Sequence, residues 1–207
     1  MIELHEVHKK YQMGQNLIYA LRGISLVIEP GEFVAIMGPS GSGKSTLMHV
    51  MGLLDVPDSG SFKIENQEVA QLSEDDLAIL RRKKIGFIFQ QFNLLPRKSA
   101  LENVALPQLY SNGKMNWDEA KVLLEKVGLG DRIFHQPNEM SGGQQQRAAI
   151  ARSLINHPQL ILADEPTGNL DSVSEKEIMS LLLQLNNTGI TVVIVTHEEE
   201  IGQLAKR

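Results

Sequence analysis

The hydrophobic positions of this chain fall into short unbroken runs that are separated by amphipathic stretches. Four runs have the composition of strands buried on both faces: residues 33–37, 85–89, 160–163 and 190–195. Apolar, β-branched runs alternating with helical segments are typical of a parallel sheet covered by helices. The pattern therefore predicts an α/β fold with a mostly parallel sheet.

The first ninety residues show a different pattern. Residues 2–5 and 62–65 alternate between apolar and polar side chains, and residues 24–28 are mostly apolar. Alternation of this kind is typical of an antiparallel sheet with one face on the core and one in water. We therefore predict an N-terminal antiparallel β subdomain beside the parallel sheet.

Between Gln90 and Pro158 the apolar residues recur with a helical period, most clearly over 117–127 and 144–155. A last helix is predicted over 174–185, where Ile178, Leu181, Leu182 and Leu185 share one face. These patterns predict one domain over residues 1–207. Its core would comprise 1–90 and 158–207, with an α-helical subdomain inserted at 91–157.

Residues 38–46 read GPSGSGKST, which fits the phosphate-loop pattern G-x-x-x-x-G-K-[ST]. Such a loop wraps backbone N–H groups around a phosphate chain, its lysine reaches the outer phosphates and its hydroxyl binds Mg²⁺. A buried strand precedes the loop, and a helical pattern with Leu47, Val50, Met51 and Leu54 on one face follows it. The sequence therefore predicts nucleoside triphosphate binding by Gly38, Ser40, Gly41, Ser42, Gly43, Lys44, Ser45 and Thr46.

Polar residues at the ends of three predicted strands are candidates for chemistry at the same edge of the sheet. Asp164 is suited to hold Mg²⁺ and Glu165 to polarise an attacking water. Gln90 could reach a metal or water, and His197 could contact the terminal phosphate. Each also has a structural interpretation, as part of a turn or a polar strand exit. The predicted metal ligands are Ser45, Gln90 and Asp164, and the predicted catalytic residues are Glu165, His197 and Gln90.

Two further features have both a structural and a functional interpretation. Ser141 and Gln144 match a capping box, which leaves Gly142 and Gly143 unexplained unless the helix start approaches an anion. The candidate anion contacts are therefore Ser141, Gly142, Gly143 and Gln144. Tyr11 could stack on an adenine ring or simply cover the small sheet.

Composition narrows the possible functions. The formal net charge is −5 at pH 7, which disfavours a broad nucleic-acid-binding surface. The basic run at 81–84 is interpreted as the end of a helix that starts at Ser73.

The chain has no cysteine, so disulfides and thiol catalysis are excluded. Residues 1–10 do not resemble a signal peptide, and no apolar stretch reaches the ~18 residues of a membrane span. A membrane role would therefore need a partner.

The order of these motifs (phosphate loop, Gln90, SGGQ, LILADE, His197) resembles the ATP-binding subunits of ABC transporters over the whole chain. The most specific element is SGGQQQR at 141–147. The strings IGFIFQQFNLLP at 85–96 and ADEPTGNLD at 163–171 look most like the lipoprotein-release and macrolide-export branch of that family.

The resemblance implies roles for particular residues. Two copies would close around two Mg-ATP, with Ser141, Gly142 and Gly143 on the terminal phosphate bound by the other copy. Residues 169–171 would communicate across the dimer, and Gln90 with 92–96 would couple the site to a membrane permease. Glu165 would be the catalytic base, His197 the switch histidine, and Tyr11 the adenine-stacking residue. The protein would work at the cytoplasmic face of the membrane through its permease.

The chain departs from the family pattern at two places. Met140 replaces the leucine that usually opens the signature, a volume-conserving change. Family members usually continue beyond the switch histidine through a helix and two more strands. Relative to them the chain is expected to be truncated at Arg207, with a sheet edge uncovered or the C-terminal lobe incomplete. Two alternatives remain open: a soluble ABC ATPase acting on nucleic acid or ribosomes, and a nucleotide-gated regulatory partner of a membrane protein.

Overall fold

A computed structural model describes residues 1–205 and 207. The strands are β1 (Ile2–Met13), β2 (Asn16–Ile28), β3 (Phe33–Ile36), β4 (Ser59–Ile64), β5 (Gln67–Glu68), β6 (Ile85–Phe89), β7 (Leu160–Asp164) and β8 (Thr191–Val195). The α-helices are α1 (Lys44–Met51), α2 (Glu74–Lys84), α3 (Ala100–Asn112), α4 (Trp117–Lys126), α5 (Gly142–Leu154), α6 (Ser172–Asn187) and α7 (Glu199–Leu204). Short 3-10 helices lie at Val69–Gln71 and Pro137–Glu139.

The four unbroken apolar runs form one sheet with the strand order β3-β8-β7-β6. All of its pairings are parallel. The central strand β8 is buried at every position, which explains why its sequence shows no alternation. The predicted parallel sheet is therefore confirmed, with strand ends that differ from the predicted ones by a single residue.

The antiparallel sheet has the order β2-β1-β4-β5. Strands β1 and β2 are much longer than the short alternating segments seen in the sequence. The reason is a register shift between Leu4 and Val7, where Glu6 has a positive φ of 47°. Such a bulge moves the following side chains to the opposite face and so interrupts the alternation.

Between β6 and β7 the regular elements of the described chain are all helices, as the pattern predicted. Helix α5 begins at Gly142, two residues before the predicted start. Helix α2 begins after Ser73, whose hydroxyl accepts a hydrogen bond from the backbone N–H of Asp76, and it ends in the basic run. The prediction for Leu54 was wrong: α1 ends at Met51, and Leu54 lies beyond the helix with 47% of its surface exposed.

The parallel sheet lies between two hydrophobic cores. Ile161, Ala163 and Ile194 face the helical segment and α6, whereas Leu162 and Val193 face α1 and the antiparallel sheet. Each fully buried aliphatic side chain contributes about 1.5–3 kcal/mol of transfer free energy. Burial on both faces fixes the sheet and therefore the edge that carries the candidate site.

The outer edge of β3 carries one backbone hydrogen bond to the last described residue. The N–H of Ala35 donates to the carbonyl oxygen of Arg207 at 2.9 Å. The Arg207 guanidinium donates to Glu32 at 2.8 Å. In the described part of the chain, none of the helices is long and apolar enough to pass through a membrane.

Candidate nucleotide-binding site

The carboxyl ends of the parallel strands bring the predicted motifs to one edge of the sheet. Strand β3 leads into the phosphate loop, β6 into Gln90, β7 into Glu165 and β8 into His197. Ligands of open α/β sheets bind at this edge. The fold therefore gathers motifs that lie far apart in the sequence.

The backbone of the phosphate loop requires glycine at its last turn. Gly43 has φ of 95°, and a Cβ there would lie 2.4 Å from the carbonyl oxygen of Ala20. Gly43 is also the N-cap of α1 and supplies no side-chain acceptor to its first turn. Those N–H groups and the positive end of the helix are left for an anion.

Lys44 lies folded over the loop that it follows. Its Nζ donates to the carbonyl oxygens of Gly38 at 2.7 Å and Pro39 at 2.9 Å. An ammonium group has three N–H donors, so one remains for a phosphate oxygen. Ser42 also contacts this turn, since its N–H donates to Pro39 at 3.3 Å.

A cavity of about 970 Å³ opens beside the loop. This volume is at the upper end of the range typical of small-molecule sites. Its walls combine the phosphate loop, the β1–β2 hairpin and the ends of two central strands. They are formed by Tyr11, Gln12, Met13, Ile18, Tyr19, Ala20, Ser40, Gly41, Gly43, Lys44, Ser45, Thr46, Glu165 and His197.

Glu165 and His197 form a pair at the mouth of this cavity. His197 Nδ1 lies 2.9 Å from Glu165 Oε1. Glu165 has a positive φ of 43°, and its N–H donates to the carbonyl oxygen of Val195 at 2.8 Å. A carboxylate held at a strand end with one oxygen on an imidazole keeps its other oxygen for a water molecule.

Asp164 lies at the end of β7 beside these groups. Burial and the neighbouring Glu165 raise the pKa of Asp164, while His49 and Lys44 partly oppose the rise. A cation bound beside this carboxylate would stabilise its ionised form. The hydroxyl of Ser45, the carboxylate of Asp164 and the amide oxygen of Gln90 are the hard oxygen donors that Mg²⁺ prefers.

No group of three or more His, Asp or Glu side chains in the described ranges could hold a metal by itself. Mg²⁺ typically uses one or two protein ligands and completes its shell with water and phosphate oxygens. The sparse donor set therefore fits a magnesium ion that arrives with a nucleotide.

Gln90 is at the predicted edge but lies outside the cavity walls. Its side chain packs against Gly168, where an added Cβ would meet Gln90 Nε2 at 2.7 Å. Its carbonyl oxygen accepts a hydrogen bond from Asn169 Nδ2 at 3.0 Å. Gln90 thus contacts the loop that follows Glu165.

The segment Ser141–Gln144 forms the predicted capping box but does not line this cavity. Ser141 N–H donates to Gln144 Oε1 at 3.0 Å, and Gln144 N–H donates to Ser141 Oγ at 3.3 Å. Gly143 has a packing reason that the sequence did not reveal, because a Cβ there would lie 2.7 Å from Ser174 Oγ. Gly142 has no such restriction, since its nearest contact would be 3.4 Å, to Leu170.

Tyr11 lies on β1 with its ring in the cavity wall and its hydroxyl bound. The hydroxyl donates to Asp55 Oδ2 at 2.7 Å, and Lys9 Nζ lies 5.4 Å from the ring centroid. Burial and Asp55 raise the pKa of Tyr11 to about 12. Sequence analysis did not identify Asp55, which is 44 positions from Tyr11 and belongs to no motif.

A phosphate loop at the carboxyl edge of a parallel sheet, with carboxylates at the next strand end, defines the phosphate-loop class of nucleotide-binding proteins. A family model described as "ABC transporter" matches residues 21–168. The chain therefore belongs to the ABC transporter family, as an ATP-binding domain.

Several relatives and solved structures are similar over the whole chain. The macrolide export ATP-binding/permease protein MacB of Bdellovibrio bacteriovorus is 66% identical over 100% of this chain and 32% of its own length. An uncharacterized ABC transporter ATP-binding protein of Bacillus subtilis, YknY, is 51% identical over 100% of this chain and 91% of its own length. The chain thus spans about a third of the macrolide exporters that it matches.

The dimeric, post-hydrolysis structure of the ATP-binding cassette MJ0796 bound to ADP and Pi matches with a TM-score of 0.91. It is 48% identical, over 100% of this chain and 92% of that one. This match confirms the predicted fold.

Proposed function

We propose that this chain is the ATP-binding and ATP-hydrolysing subunit of an export-type ABC transporter. Two copies close around two Mg-ATP, and their opening and closing drive a permease. The observation that carries the proposal is that one chain builds half of a site. The phosphate loop, Glu165 and His197 share a cavity, while the Ser141–Gln144 helix start lies outside it.

Each residue at the sheet edge has a role in this proposal. The phosphate loop and Lys44 bind the triphosphate, and Ser45, Gln90 and Asp164 hold the Mg²⁺ that neutralises its charge. Glu165 polarises the attacking water, and His197 orients Glu165 and reaches the terminal phosphate. Positioning and charge stabilisation supply most of the rate, as in other phosphoryl transfers.

A second copy supplies what one chain lacks. The first turn of α5, from Ser141 to Gln144, presents N–H groups and a hydroxyl that suit the terminal phosphate of the other copy. Similarity to a cassette solved as a dimer supports this arrangement. In the same proposal, residues 91–157 form a helical subdomain that moves with nucleotide, and the remainder forms the core.

A groove of about 930 Å³ beside β6 suits a segment of the permease. Phe87 and Phe89 provide an apolar floor, and Arg81 and Arg152 provide charge. Arg152 donates to the carbonyl oxygens of Phe92 and Asn93 and so anchors the segment Gln90–Pro96 to the wall of the groove. Relatives that combine ATP-binding and permease parts in one chain support a membrane partner, which would hold this protein at the cytoplasmic face.

ATP binding and hydrolysis are tested by substituting residues of the loop and the strand end. Lys44→Ala removes the ammonium group proposed to contact the outer phosphates. It is expected to abolish ATP binding in a filter assay. Glu165→Gln keeps ATP binding but lowers kcat by about 100-fold or more, the usual contribution of a general base. Lys121→Ala, on the exposed face of α4, is the matched control and changes neither quantity. Unchanged affinity in Lys44→Ala would contradict the phosphate-loop assignment.

The transport role is tested by recovering the membrane partner with the tagged protein. A partner with a translocation path supports transport. A partner without a translocation path supports a nucleotide-gated regulatory role. ATPase activity stimulated by nucleic acid or ribosomes supports a soluble ABC ATPase that acts on them.

A further inference from the structure

One buried amide on α5 contacts two loops of the candidate site. Gln146 has no exposed surface. Its Nε2 donates to the carbonyl oxygen of Pro166 at 2.6 Å and lies 3.4 Å from that of Phe89. Pro166 directly follows Glu165, and Phe89 directly precedes Gln90. A single side chain therefore bridges the two segments that carry these residues.

The bridge begins where the sheet ends. Phe89 and Asp164 are the last paired residues of β6 and β7. Beyond them, no hydrogen bonds of the sheet join the two segments. The two N–H groups of one amide can serve both carbonyl oxygens. Turning the amide over would place its oxygen against two acceptors, so its orientation is fixed. Gln146 therefore joins the two segments by hydrogen bonds just beyond the end of the β6–β7 ladder.

The amide oxygen of Gln146 has an energetic cost. It is buried and makes no hydrogen bond within the described ranges. A buried acceptor without a partner costs about 1–3 kcal/mol. An apolar side chain of similar length would avoid this cost but would remove the donor that the carbonyl oxygens of Pro166 and Phe89 share. The contacts of the Nε2 group are therefore what glutamine provides at this position.

The loop that Gln146 holds is a strained one. Glu165 is a non-glycine residue with φ of 43°, a conformation that costs about 1–3 kcal/mol and persists only where neighbours enforce it. Val195 holds its N–H, and Gly168 N–H donates to its carbonyl oxygen at 3.1 Å. The bond from Gln146 to Pro166 restrains the next peptide. The direction of the Glu165 carboxylate thus depends in part on Gln146.

The same helix begins at the segment proposed to meet the partner's phosphate. Gln146 lies four residues after Gly142, about 6 Å along the axis. A helix moves as a rigid rod over this distance, so a shift of its first turn reaches Gln146 and both loops.

We propose that Gln146 is a positioning residue that couples the start of α5 to Glu165 and Gln90. When the first turn of α5 engages the phosphate held by the other copy, Gln146 sets the two loops for hydrolysis. The inference rests on the proposed ATPase function. It concerns the rate of hydrolysis rather than nucleotide affinity, since Gln146 lies outside the cavity that would bind ATP.

The test measures kcat and nucleotide affinity separately in the full chain. Gln146→Met keeps the length of the side chain and removes both donors. We expect kcat to fall about 10- to 100-fold, the effect of a small misplacement of a catalytic group. The dissociation constant of a fluorescent ATP analogue should stay within about threefold of the parent value, below the tenfold change that 1.4 kcal/mol would cause. Gln184→Met is the control, because Gln184 is exposed on α6 and its Nε2 donates to Ser180 Oγ in the same helix at 3.4 Å, and it should keep the parent kcat.

A second variant gives a signature that a loss of packing would not. Gln146→Glu presents only acceptors to two carbonyl oxygens when ionised, but its protonated form regains one O–H donor. Burial raises the pKa of such a carboxyl group, so the kcat of Gln146→Glu relative to the parent should rise as pH falls from 8.5 to 6. If Gln146→Met does not fold, this pH dependence still tests whether Gln146 positions the two loops.

The outcomes separate the two proposals. A parent chain that hydrolyses ATP beside a Gln146→Met variant with unchanged kcat would overturn the role of Gln146 alone. So would a Gln146→Glu ratio that does not change with pH. Absence of hydrolysis in the parent would overturn the proposed function, and the role of Gln146 with it.

Discussion

At the scale of single residues, the cavity wall depends on a polar cluster that no motif contains. Asp55 accepts hydrogen bonds from Lys9 Nζ and from the hydroxyl at the tip of the Tyr11 side chain. Lys9 is 8% exposed, so its charge needs this partner. The cluster fixes the Tyr11 ring in the cavity wall.

Asp55→Asn should destabilise the protein in a pH-dependent way. Burial alone would raise the pKa of Asp55, but the hydrogen bonds from Lys9 and Tyr11 lower it below the ordinary 3.8. The ionised carboxylate therefore stabilises the fold fully above pH 3.8, and this stabilisation is lost as pH falls through the lowered pKa. At pH 7 we expect urea unfolding to show a loss of about 1.5–3 kcal/mol.

The difference between Asp55→Asn and the parent should narrow as pH falls below 4. Asp131→Asn is the control: Asp131 is 74% exposed and should change stability by less than about 0.5 kcal/mol. An Asp55→Asn loss that is the same at pH 7 and pH 3 would contradict the ion-pair explanation.

Residues that belong to a motif were predictable, whereas residues joined only by folding were not. Lys44 follows an apolar strand through the phosphate loop, and Glu165 and His197 lie within two residues of the ends of two others, so the sheet edge could be inferred. Asp55 and Gln146 act through contacts across 44 and 20 positions. Asp55 belongs to no motif. Gln146 lies in the SGGQQQR string, but nothing in that string shows that this glutamine is buried and bridges two loops.

At the scale of elements, glycine in the signature serves packing as well as anion contact. Gly143 brings α5 against the start of α6, where a Cβ would lie 2.7 Å from Ser174 Oγ and 3.0 Å from its Cβ. The capping box explains Ser141 and Gln144, and this contact explains Gly143. Gly142 alone is left without a structural reason, which focuses the phosphate-contact proposal on that residue.

Gly143→Ala should lower the free energy of unfolding by about 1–3 kcal/mol, the cost of overpacking. Gly142→Ala is the matched control for stability, because its Cβ would make an ordinary 3.4 Å contact. Alanine also favours the helix over glycine by about 1 kcal/mol, so Gly142→Ala should be neutral or stabilising. Equal effects of the two substitutions in thermal unfolding would contradict the packing explanation.

Elements whose residues repeat with one period were predicted well, and elements with a broken period were not. Strands β6, β7 and β8 are continuous apolar runs, and their ends were correct to within one residue. The prediction missed most of β1 because the bulge at Glu6 reverses the faces. It placed Leu54 on a helix because apolar spacing continues past Gly52, where α1 is capped.

At the scale of the whole molecule, the described chain is one half of the proposed catalytic unit. The cavity wall includes the phosphate loop, Glu165 and His197, but the Ser141–Gln144 turn lies outside it. The proposal requires the nucleotide to join two chains, because neither chain can surround the terminal phosphate alone. ATP should therefore control association, and hydrolysis should reverse it.

The most direct test is the mass of Glu165→Gln in saturating Mg-ATP, measured by light scattering over a range of protein concentrations. Blocked hydrolysis should trap the closed pair, so we predict a stable dimer with Mg-ATP and a monomer with ADP. A Glu165→Gln chain that binds ATP and yet remains a monomer at every concentration would contradict the account.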